Sequence, residues 1–574
     1  MATDLNEVPL TRPATTLDDG PLDERLYDLI EERFRRVVRA NPILGTYVGI
    51  HTEDGRLGDG SRDAILGELD ADKRHLSELE ALDTTRLSPL GRFERDLALH
   101  NVRREIFETD VVRRWERRSF ALDVVGDGIF LLFARDFGPL GDRLVSIADR
   151  LEAIPAFLEQ SKTRATVPQV RLWQTLEIDA AEHLPALFRE VRAASDRTLD
   201  RSEHRRLCAA IDRANVALAA YRTWLQGTLP GGTDDWALGT ERYDELIAHR
   251  AFDGLDADAI LELGWQQLRL NHDLRSAAAR EIDPDASEAD VIDRLKEDHP
   301  ATFEEALAAY REAMVRARSH LIERDIVTVP DDERIEVIET PEYLRNVVPF
   351  AAYFSPPKFD ANPTGIYIVT PAVHDDPNAM REHNRTSMSN TSVHEAYPGH
   401  HLQLSVAARH PSLARLEADA SEFVEGWGMY SEQMMREEGF DDAANFRLNV
   451  ATDAIWRACR IILDVRMHRG EVGVDDAVAF LVEHTAFETA NARAEVERYT
   501  YTPSYQLSYL LGKVLILGLR DDERRRLGGG FSLKQFHDTL LRNGSLPISF
   551  HRRLLDGELD EAGVGARGAG AAAS

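Results

Sequence analysis

The sequence predicts a mainly α-helical protein with a small β-sheet directly before its principal motif. Roughly the first 225 residues repeat apolar side chains at helical spacing. Two short segments rich in β-branched residues follow at 334–340 and 365–371. Helical patterning returns after Ala379 and continues nearly to the end of the chain. No internal repeat is apparent, so solenoids and propellers are not expected.

The N-terminal helical pattern is clearest in two stretches. Leu26, Ile30, Phe34 and Val37 follow one another at three- and four-residue spacing, which places them on one helix face. A second long amphipathic stretch covers 202–225. Each stretch predicts a helix that buries one apolar stripe.

A turn of proline, glycine and aspartate, LPGGTDD at 229–235, interrupts the helical pattern and marks a candidate boundary. We therefore predict three parts, which are an N-terminal helical lobe over 1–228, a catalytic helical lobe over 236–562 and a flexible tail over 563–574.

The two predicted strands are RIEVIET at 334–340 and GIYIVTP at 365–371. Two segments are too few for a large sheet, so we expect a small one at about 334–371. The second strand either pairs with an extended substrate through its main chain or only closes the sheet.

Charge and cysteine content exclude several classes of function. The formal net charge is -31, from 69 basic and 100 acidic residues, and so acidic a surface repels nucleic-acid phosphates. The only cysteines, Cys208 and Cys459, allow no disulfide framework and no cysteine-based zinc site. A cysteine nucleophile stays open, although neither residue has a recognisable setting. Because membrane-length apolar runs and a signal-like start are lacking, we expect a soluble cytoplasmic protein with no membrane partner.

The chemistry-bearing segment is SVHEAYPGHHLQ at 392–403. Neutral imidazole is a preferred zinc ligand, and a neighbouring carboxylate accepts a proton from activated water. His394 is therefore a candidate ligand and Glu395 a candidate general base. The usual H-E-x-x-H pattern is not present, because the position four residues after His394 is Pro398.

Helix geometry favours His400 over His401 as the second ligand. In an unbroken helix His401 would lie on the face of His394 but roughly 10.5 Å further along the axis, while His400 would point about 120° away. Pro398 and Gly399 predict a kink that brings His400 under the metal. His401 remains the alternative, and an ordinary helix end with polar histidines is the interpretation without a metal.

A third ligand is expected because catalytic zinc sites hold three protein ligands and one open position. The candidate is Glu425, which lies among bulky apolar residues in SEFVEGWGMYSE at 421–432. A buried carboxylate needs a cation beside it. Glu422 and Glu432 are either acceptors for a ligand histidine or solvated helix acids.

These residues resemble a large prokaryotic family, the domain of unknown function 885 family. The resemblance covers most of the chain and is most specific in its C-terminal half, where the matching residues are His394-Glu395, Pro398 to His401, Glu425 to Trp427, Arg498-Tyr499, Pro503, Gln506, Ser508-Tyr509 and Gly512-Lys513.

More distantly, the chain is similar to the helical zinc peptidases, namely the thimet oligopeptidase and neurolysin, angiotensin-converting enzyme and Taq carboxypeptidase families. Those families carry H-E-x-G-H and a ligating glutamate in a Leu-Glu-Asn-Trp-like setting on a following helix. Gly399-His400 corresponds to the first pattern, with two additional residues after Glu395, and Val424 to Trp427 corresponds to the second.

The resemblance implies long helices that wall a deep channel, with a small sheet lining the metal cleft. It also implies a Zn²⁺-dependent peptidase in which His394, His400 and Glu425 hold the metal and Glu395 is the base. Because the similar peptidases stabilise the oxyanion with a tyrosine or histidine from a later helix, the candidates for that role are Tyr499, Tyr505 and Tyr509. Core packing is the alternative role of these tyrosines.

Arg498 and Lys513 are candidate ligands for a substrate carboxylate, which would make the enzyme a carboxypeptidase or dipeptidase. Structural ion pairs are their alternative role. The expected partner is a peptide or peptide-like substrate. Two other hypotheses stay open, namely a zinc amidohydrolase acting on a non-peptide amide and a non-catalytic helical binding protein with a vestigial site.

Overall fold

A computed structural model describes residues 4–13, 21–341, 345, 348, 351–371, 379–418, 420–485 and 487–559. The chain forms two compact units. The first contains Met1–Trp236, Pro357–Pro363 and Ser412–Ala414, and the second contains Ala237–Pro356, Thr364–Pro411 and Arg415–Ser574. The predicted tail at 563–574 lies outside the described residues.

The first unit is helical. Its helices are α1 (Pro21–Ala40), α2 (Pro42–Val48), α3 (Arg62–Glu80), α4 (Pro89–Phe107), α5 (Arg114–Arg117), α6 (Ala121–Ala134), α7 (Leu140–Ser161), α8 (Arg171–Thr198) and α9 (Arg201–Thr228).

Local sequence explains two of these helices. Leu26, Ile30 and Phe34 of α1 are buried as predicted, but the fourth core position belongs to Val38 rather than Val37, because a further four-residue step continues the same face. Helix α9 includes the predicted stretch at 202–225 and begins with a capping box formed by Asp200.

The second unit holds most of the remaining elements. Its helices are α10 (Thr240–Arg250), α11 (Ala257–Ile282), α12 (Glu288–Lys296), α13 (Phe303–Glu323), α14 (Arg385–Glu395), α15 (His400–Ala407), α16 (Leu413–Ala418, which starts in the first unit), α17 (Ser421–Glu437), α18 (Ala444–His468), α19 (Val474–Thr485), α20 (Thr489–Tyr499), α21 (Leu510–Leu527), α22 (Leu533–Arg542) and α23 (Ile548–Leu555).

A three-stranded sheet lies in the second unit in the order β1 (Ile335–Glu339), β3 (Gly365–Val369), β2 (Ala351–Phe354). Strand β1 is parallel to β3, whereas β2 is antiparallel to β3. The two predicted strands are thus confirmed, and the sequence analysis missed β2. The predicted mainly α-helical fold with a small sheet is confirmed.

The sheet is packed beside the helix that carries His394. Val337 and Tyr367 share a buried apolar cluster with Tyr310 of α13 and Met388 of α14. Helix α14 also contacts α17 and α18, and α17 runs along α21. Among the described residues, no helix combines the length and the apolar character that crossing a lipid bilayer requires.

Candidate metal centre

Two separate helices present the two histidines. Helix α14 ends at Glu395 and α15 begins at His400, so the prediction of one kinked helix is wrong. Pro398 has no N–H to continue the helical ladder. At Gly399 the backbone passes so close to His394 that an added Cβ atom would lie 1.8 Å from the His394 carbonyl oxygen. The chain therefore turns between the histidines and starts a new helix.

His394, His400 and Glu425 come together in the second unit. Their potential ligand atoms all lie within 4.8 Å of one another. Oε2 of Glu425 is 3.6 Å from Nε2 of His394 and 3.3 Å from Nε2 of His400. The imidazole rings are nearly perpendicular, with centroids 4.7 Å apart. Two nitrogen atoms and one oxygen atom thus converge on one small volume.

Further contacts orient two of these three side chains. Nδ1 of His394 is 2.7 Å from Oε1 of Glu432, so the ring nitrogen that faces away from Glu425 is held by a carboxylate. The Tyr505 hydroxyl donates to Oε1 of Glu425 at 2.9 Å, which leaves Oε2 toward the histidines. In contrast, Nδ1 of His400 is buried and has no hydrogen-bond partner among the described residues.

Helix α17 is shaped to receive the His394 ring and the turn that follows it. A Cβ atom added at Gly428 would lie 2.7–2.9 Å from three atoms of the His394 imidazole, so only glycine leaves room for the ring. The indole N–H of Trp427 donates to the carbonyl oxygen of Pro398 at 2.7 Å. The segment Glu425 to Gly428 therefore supplies a donor atom, holds the turn and accommodates a ring.

His401 and Glu422, which the sequence analysis considered as neighbours of the metal, have other partners. His401 is fully buried, with Nε2 2.7 Å from Glu333 and Nδ1 2.8 Å from the Tyr353 hydroxyl. Both of its ring nitrogens are occupied, so His401 does not share the site of His400. Glu422 accepts from Arg250 at 2.9 Å, whereas Glu432 alone of the two predicted acids contacts a ligand histidine.

The electrostatics of the cluster favour a positive charge between its carboxylates. Burial lowers the pKa of His394, but hydrogen bonds to Glu425 and Glu432 outweigh that effect and raise the pKa to about 10. Burial raises the pKa of Glu425, yet the charge of His400 and the contact with His394 bring that pKa well below its usual value. The site thus stabilises a bound proton, and a divalent cation on the same atoms would replace it.

Glu395 is the last residue of α14 and lies next to His394 in the chain. Its side chain is half-buried, and its carboxylate has no hydrogen-bond partner among the described residues. Its negative charge helps to raise the pKa of His394, after the effects of burial and of Glu425 and Glu432. A carboxylate that is near the donor atoms and not otherwise engaged is suited to accept a proton.

Tyr505 and Tyr509 are close to the cluster. Their hydroxyl oxygens are 3.3 Å apart, and Tyr505 contacts Glu425 directly. The negative charge of Glu425 and burial raise the pKa of Tyr505 well above its usual value, so this phenol stays protonated as a donor.

Tyr499 is placed differently from its prediction. Its hydroxyl donates to Glu495 at 2.9 Å and accepts from the Trp456 indole at 3.3 Å and from Arg460 at 3.2 Å. In the described part of the chain this hydroxyl makes no contact with the three candidate ligands. Its hydrogen-bonding capacity is used within a polar cluster between α18 and α20.

Arg498 and Lys513, the two residues predicted to bind a substrate carboxylate, also differ from each other. Arg498 donates to Glu495 at 2.9 Å and remains partly exposed. Lys513 is buried and has no ion pair among the described residues, and burial lowers its pKa against the opposing charges of Glu432 and Glu437. The ammonium group therefore lies close to acids of α17, which compete with a substrate carboxylate for its charge.

The sequence analysis missed two arginines of α18 that lie near Tyr509. The guanidinium carbon of Arg460 is 4.8 Å from the Tyr509 ring centroid, and that of Arg457 is 5.9 Å from it. The segment AIWRACRIILDV at 454–465 contained the signal, because two arginines and one aspartate interrupt an apolar helix. Arginine in a buried helix requires a polar partner or a function.

The family of the chain follows from its sequence. Residues 42–555 match the model of a family described as bacterial protein of unknown function (DUF885). The chain belongs to the DUF885 family. The family that the motif residues predicted is thereby confirmed. No curated protein matches this DUF885 protein.

Two solved structures are similar to this DUF885 protein. A candidate lipoprotein of unknown function from Shewanella oneidensis matches with a TM-score of 0.77 and 22% identity, over 92% of this chain and 99% of that chain. A candidate lipoprotein from Colwellia psychrerythraea matches with a TM-score of 0.81 and 18% identity, over 93% and 98% of the two chains. Identities this low establish the shared fold alone.

Proposed function

We propose that this DUF885 protein is a zinc-dependent hydrolase that cleaves peptide bonds, as a carboxypeptidase or dipeptidase. The observation that carries the proposal is the convergence of His394, His400 and Glu425 on one volume, with His394 backed by Glu432. Two imidazoles and one glutamate, with a carboxylate behind a ligand histidine, form a donor set used by catalytic zinc sites.

The spacing of the donor atoms fits zinc. Zinc–ligand bonds of about 2.0–2.1 Å in a tetrahedron place ligand atoms about 3.3 Å apart. The two nitrogen–oxygen separations to Glu425 are 3.3 and 3.6 Å, and all three potential ligand atoms lie within 4.8 Å of one another. When bound, zinc would polarise the substrate carbonyl and lower the pKa of an attacking water.

The side chains around the donor atoms would supply proton transfer and stabilisation of the developing negative charge. Glu395 would take a proton from the attacking water and deliver it to the nitrogen of the leaving amine, so that the proton is conserved through the reaction. Tyr505 holds Glu425 in place. The neighbouring Tyr509 hydroxyl, which donates to the Tyr505 oxygen in this structure, would turn to donate to a carbonyl oxygen that gains negative charge. Tyr499 has no part in this scheme because its hydroxyl is occupied elsewhere.

Metal analysis of the purified protein tests the proposal. After zinc supplementation and removal of excess metal, we expect about one zinc per chain in the wild type. His394→Ala and Glu425→Ala should lose it, whereas His183→Ala, at an exposed helix position in the first unit, should not. Glu395→Gln should keep the zinc and lose about a hundred- to ten-thousand-fold in kcat on peptides.

Two results would contradict the proposal. One is a wild-type chain that retains no zinc. The other is a zinc-loaded chain that hydrolyses no peptide at all in a broad substrate panel, and hydrolysis of non-peptide amides by that chain would then indicate the amidohydrolase.

The cytoplasm is the proposed compartment. Cys208 and Cys459 are both free thiols, which is typical of a reducing environment. The names of the two similar structures suggest instead a lipid-anchored location. Fractionation of the native host, followed by immunodetection of this chain, distinguishes the two, and recovery in the membrane fraction would overturn the cytoplasmic proposal.

A further inference from the structure

Three arginines form a cluster beside Tyr509 and Glu495. Arg457 and Arg460 belong to α18, and Arg498 lies near the end of α20. The Trp456 indole fixes the first two, because their guanidinium carbons lie 3.9 and 4.1 Å from its ring centroid. We refer to Arg457, Arg460 and Arg498 as the arginine cluster.

One path of direct contacts connects the arginine cluster to the candidate metal centre, and a second reaches the helix that carries His394. In the first, Tyr505 contacts Glu425, and its hydroxyl is 3.3 Å from that of Tyr509, whose ring faces the arginines. In the second, Arg457 is 3.5 Å from Asp453, which accepts from Asn390 of α14 at 2.9 Å. The arginines are therefore neighbours of the site and not a separate surface feature.

Two of the three arginines in the cluster share one carboxylate. Oε2 of Glu495 accepts from both Arg460 and Arg498 at 2.9 Å, so one carboxylate serves two guanidinium groups. The Tyr499 hydroxyl donates to the same oxygen. Arg457 has no share in that carboxylate; it is paired with Asp453 and also interacts electrostatically with Glu432.

Arg457 is the least satisfied member of the cluster. Its Nε atom is buried without a hydrogen-bond partner among the described residues, and its contact with Asp453 is long. Its side chain is 15% exposed and therefore largely shielded from water. A guanidinium with a buried, unpaired Nε atom and only a long carboxylate contact, beside a candidate metal centre, indicates an anion-binding site.

We propose that the arginine cluster binds the free C-terminal carboxylate of a peptide substrate, with Arg457 as its principal donor. The planar guanidinium fork matches a carboxylate in two parallel hydrogen bonds. This inference rests on the proposed function, and it assigns carboxypeptidase-type specificity to it. It replaces Lys513 as the predicted carboxylate ligand and gives Arg498 a supporting role through Glu495.

A matched pair of peptides tests the inference. Two N-blocked tripeptides of the same sequence, one with a free C-terminal carboxylate and one with a C-terminal amide, are compared by kcat/KM on zinc-loaded enzyme. Hydrogen bonds to a charged group contribute about 1.5–3 kcal/mol. We therefore expect the free acid to be preferred by about 10- to 100-fold.

Variants assign this preference to Arg457. Arg457→Gln should remove most of the preference by lowering kcat/KM for the free acid alone, and Arg457→Lys should restore part of it, because it keeps the charge but not the fork. The control is Arg447→Gln on the same helix, where the arginine is exposed and paired with Glu281. Circular dichroism and zinc content establish that each variant is folded and loaded.

A binding measurement separates failure of this inference from failure of the proposed function. Titration calorimetry of both tripeptides with Glu395→Gln, with and without Arg457→Gln, reports carboxylate recognition without turnover. Equal hydrolysis and equal binding of acid and amide would overturn the inference and leave the hydrolase intact. Binding of the acid that depends on Arg457, with no hydrolysis by the wild type, would overturn the hydrolase and support the anion site.

Discussion

His400 and His401 are adjacent in the chain, yet they belong to two regions of opposite character. His400 turns toward Glu425 and His394, and one of its ring nitrogens has no partner among the described residues. His401 is bound on both ring nitrogens, by Glu333 and by Tyr353. The first region is a convergent set of donor atoms in which a ring nitrogen still lacks a partner, whereas the second is a closed hydrogen-bonded network.

The difference shows how a functional histidine is distinguished from a structural one. Both are buried, and both stand in the same short motif, so neither burial nor position separates them. What separates them is whether the protein itself satisfies the polar atoms of the ring. A network that is complete stabilises the fold, while donor atoms that converge without a shared partner favour a cation.

The largest effect should come from breaking the closed network. Glu333 accepts from Tyr397 and Arg318 in addition to its contact with His401. Glu333→Gln would leave several buried groups without their carboxylate, and we expect a loss of about 3–5 kcal/mol in the free energy of unfolding. Urea denaturation followed by circular dichroism measures this loss.

The zinc content of the same variant sharpens the comparison. Because Glu333 does not contact the candidate ligands, folded Glu333→Gln should retain its zinc, whereas His400→Gln should lose it. A folded Glu333→Gln protein that had lost its metal would show that the two regions are one functional unit.

A smaller effect is expected from Glu432, which holds His394 from behind at 2.7 Å. Glu432→Gln keeps the shape of the side chain and weakens its hold on the imidazole. We expect zinc affinity to fall by about 10- to 100-fold, as measured by competition with a chelator. Glu422→Gln, which changes an acid of the same helix that pairs with Arg250, is the matched control and should leave the affinity unchanged.

A pH dependence should accompany the effect of Glu333→Gln. Burial raises the pKa of Glu333, but hydrogen bonds from His401, Tyr397 and Arg318 outweigh it and lower the pKa from 4.5 to about 2. A carboxyl group whose pKa is lower in the folded state than in the unfolded state stabilises the fold at pH values above its unfolded pKa. This stabilisation is lost as the pH falls through the folded pKa. The stability difference between wild type and Glu333→Gln should therefore be constant above pH 4.5 and shrink toward pH 2. If the stability difference between the two proteins stayed constant down to pH 2, the ionised Glu333 carboxylate would not be its source.

Local patterns explain why much of the fold could be predicted. Leu26, Ile30 and Phe34 specify their helix by spacing alone, and the β-branched residues of β1 and β3 specify their strands. Strand β2 was missed because AAYF is only four residues long and has no polar residue to alternate with its apolar ones.

The candidate site was predictable where the chemistry lies in one motif and less so where it depends on distant parts of the chain. Residue types pointed to His394, His400 and Glu425, which the structure brings together. The separation of Tyr499 from Tyr505 was not predictable, because it depends on how α18 and α20 pack. The role of Arg457 likewise depends on a neighbour, Tyr509, that is 52 positions away in the sequence.

The turn that separates α14 from α15 has a consequence for detecting related enzymes. Since each histidine sits on its own helix, the number of residues joining them can change while the donor atoms still meet. A pattern search that demands a fixed four-residue interval would pass over such chains. Comparing the three-dimensional arrangement of imidazole and carboxylate groups would retrieve them, whatever the length of the intervening segment.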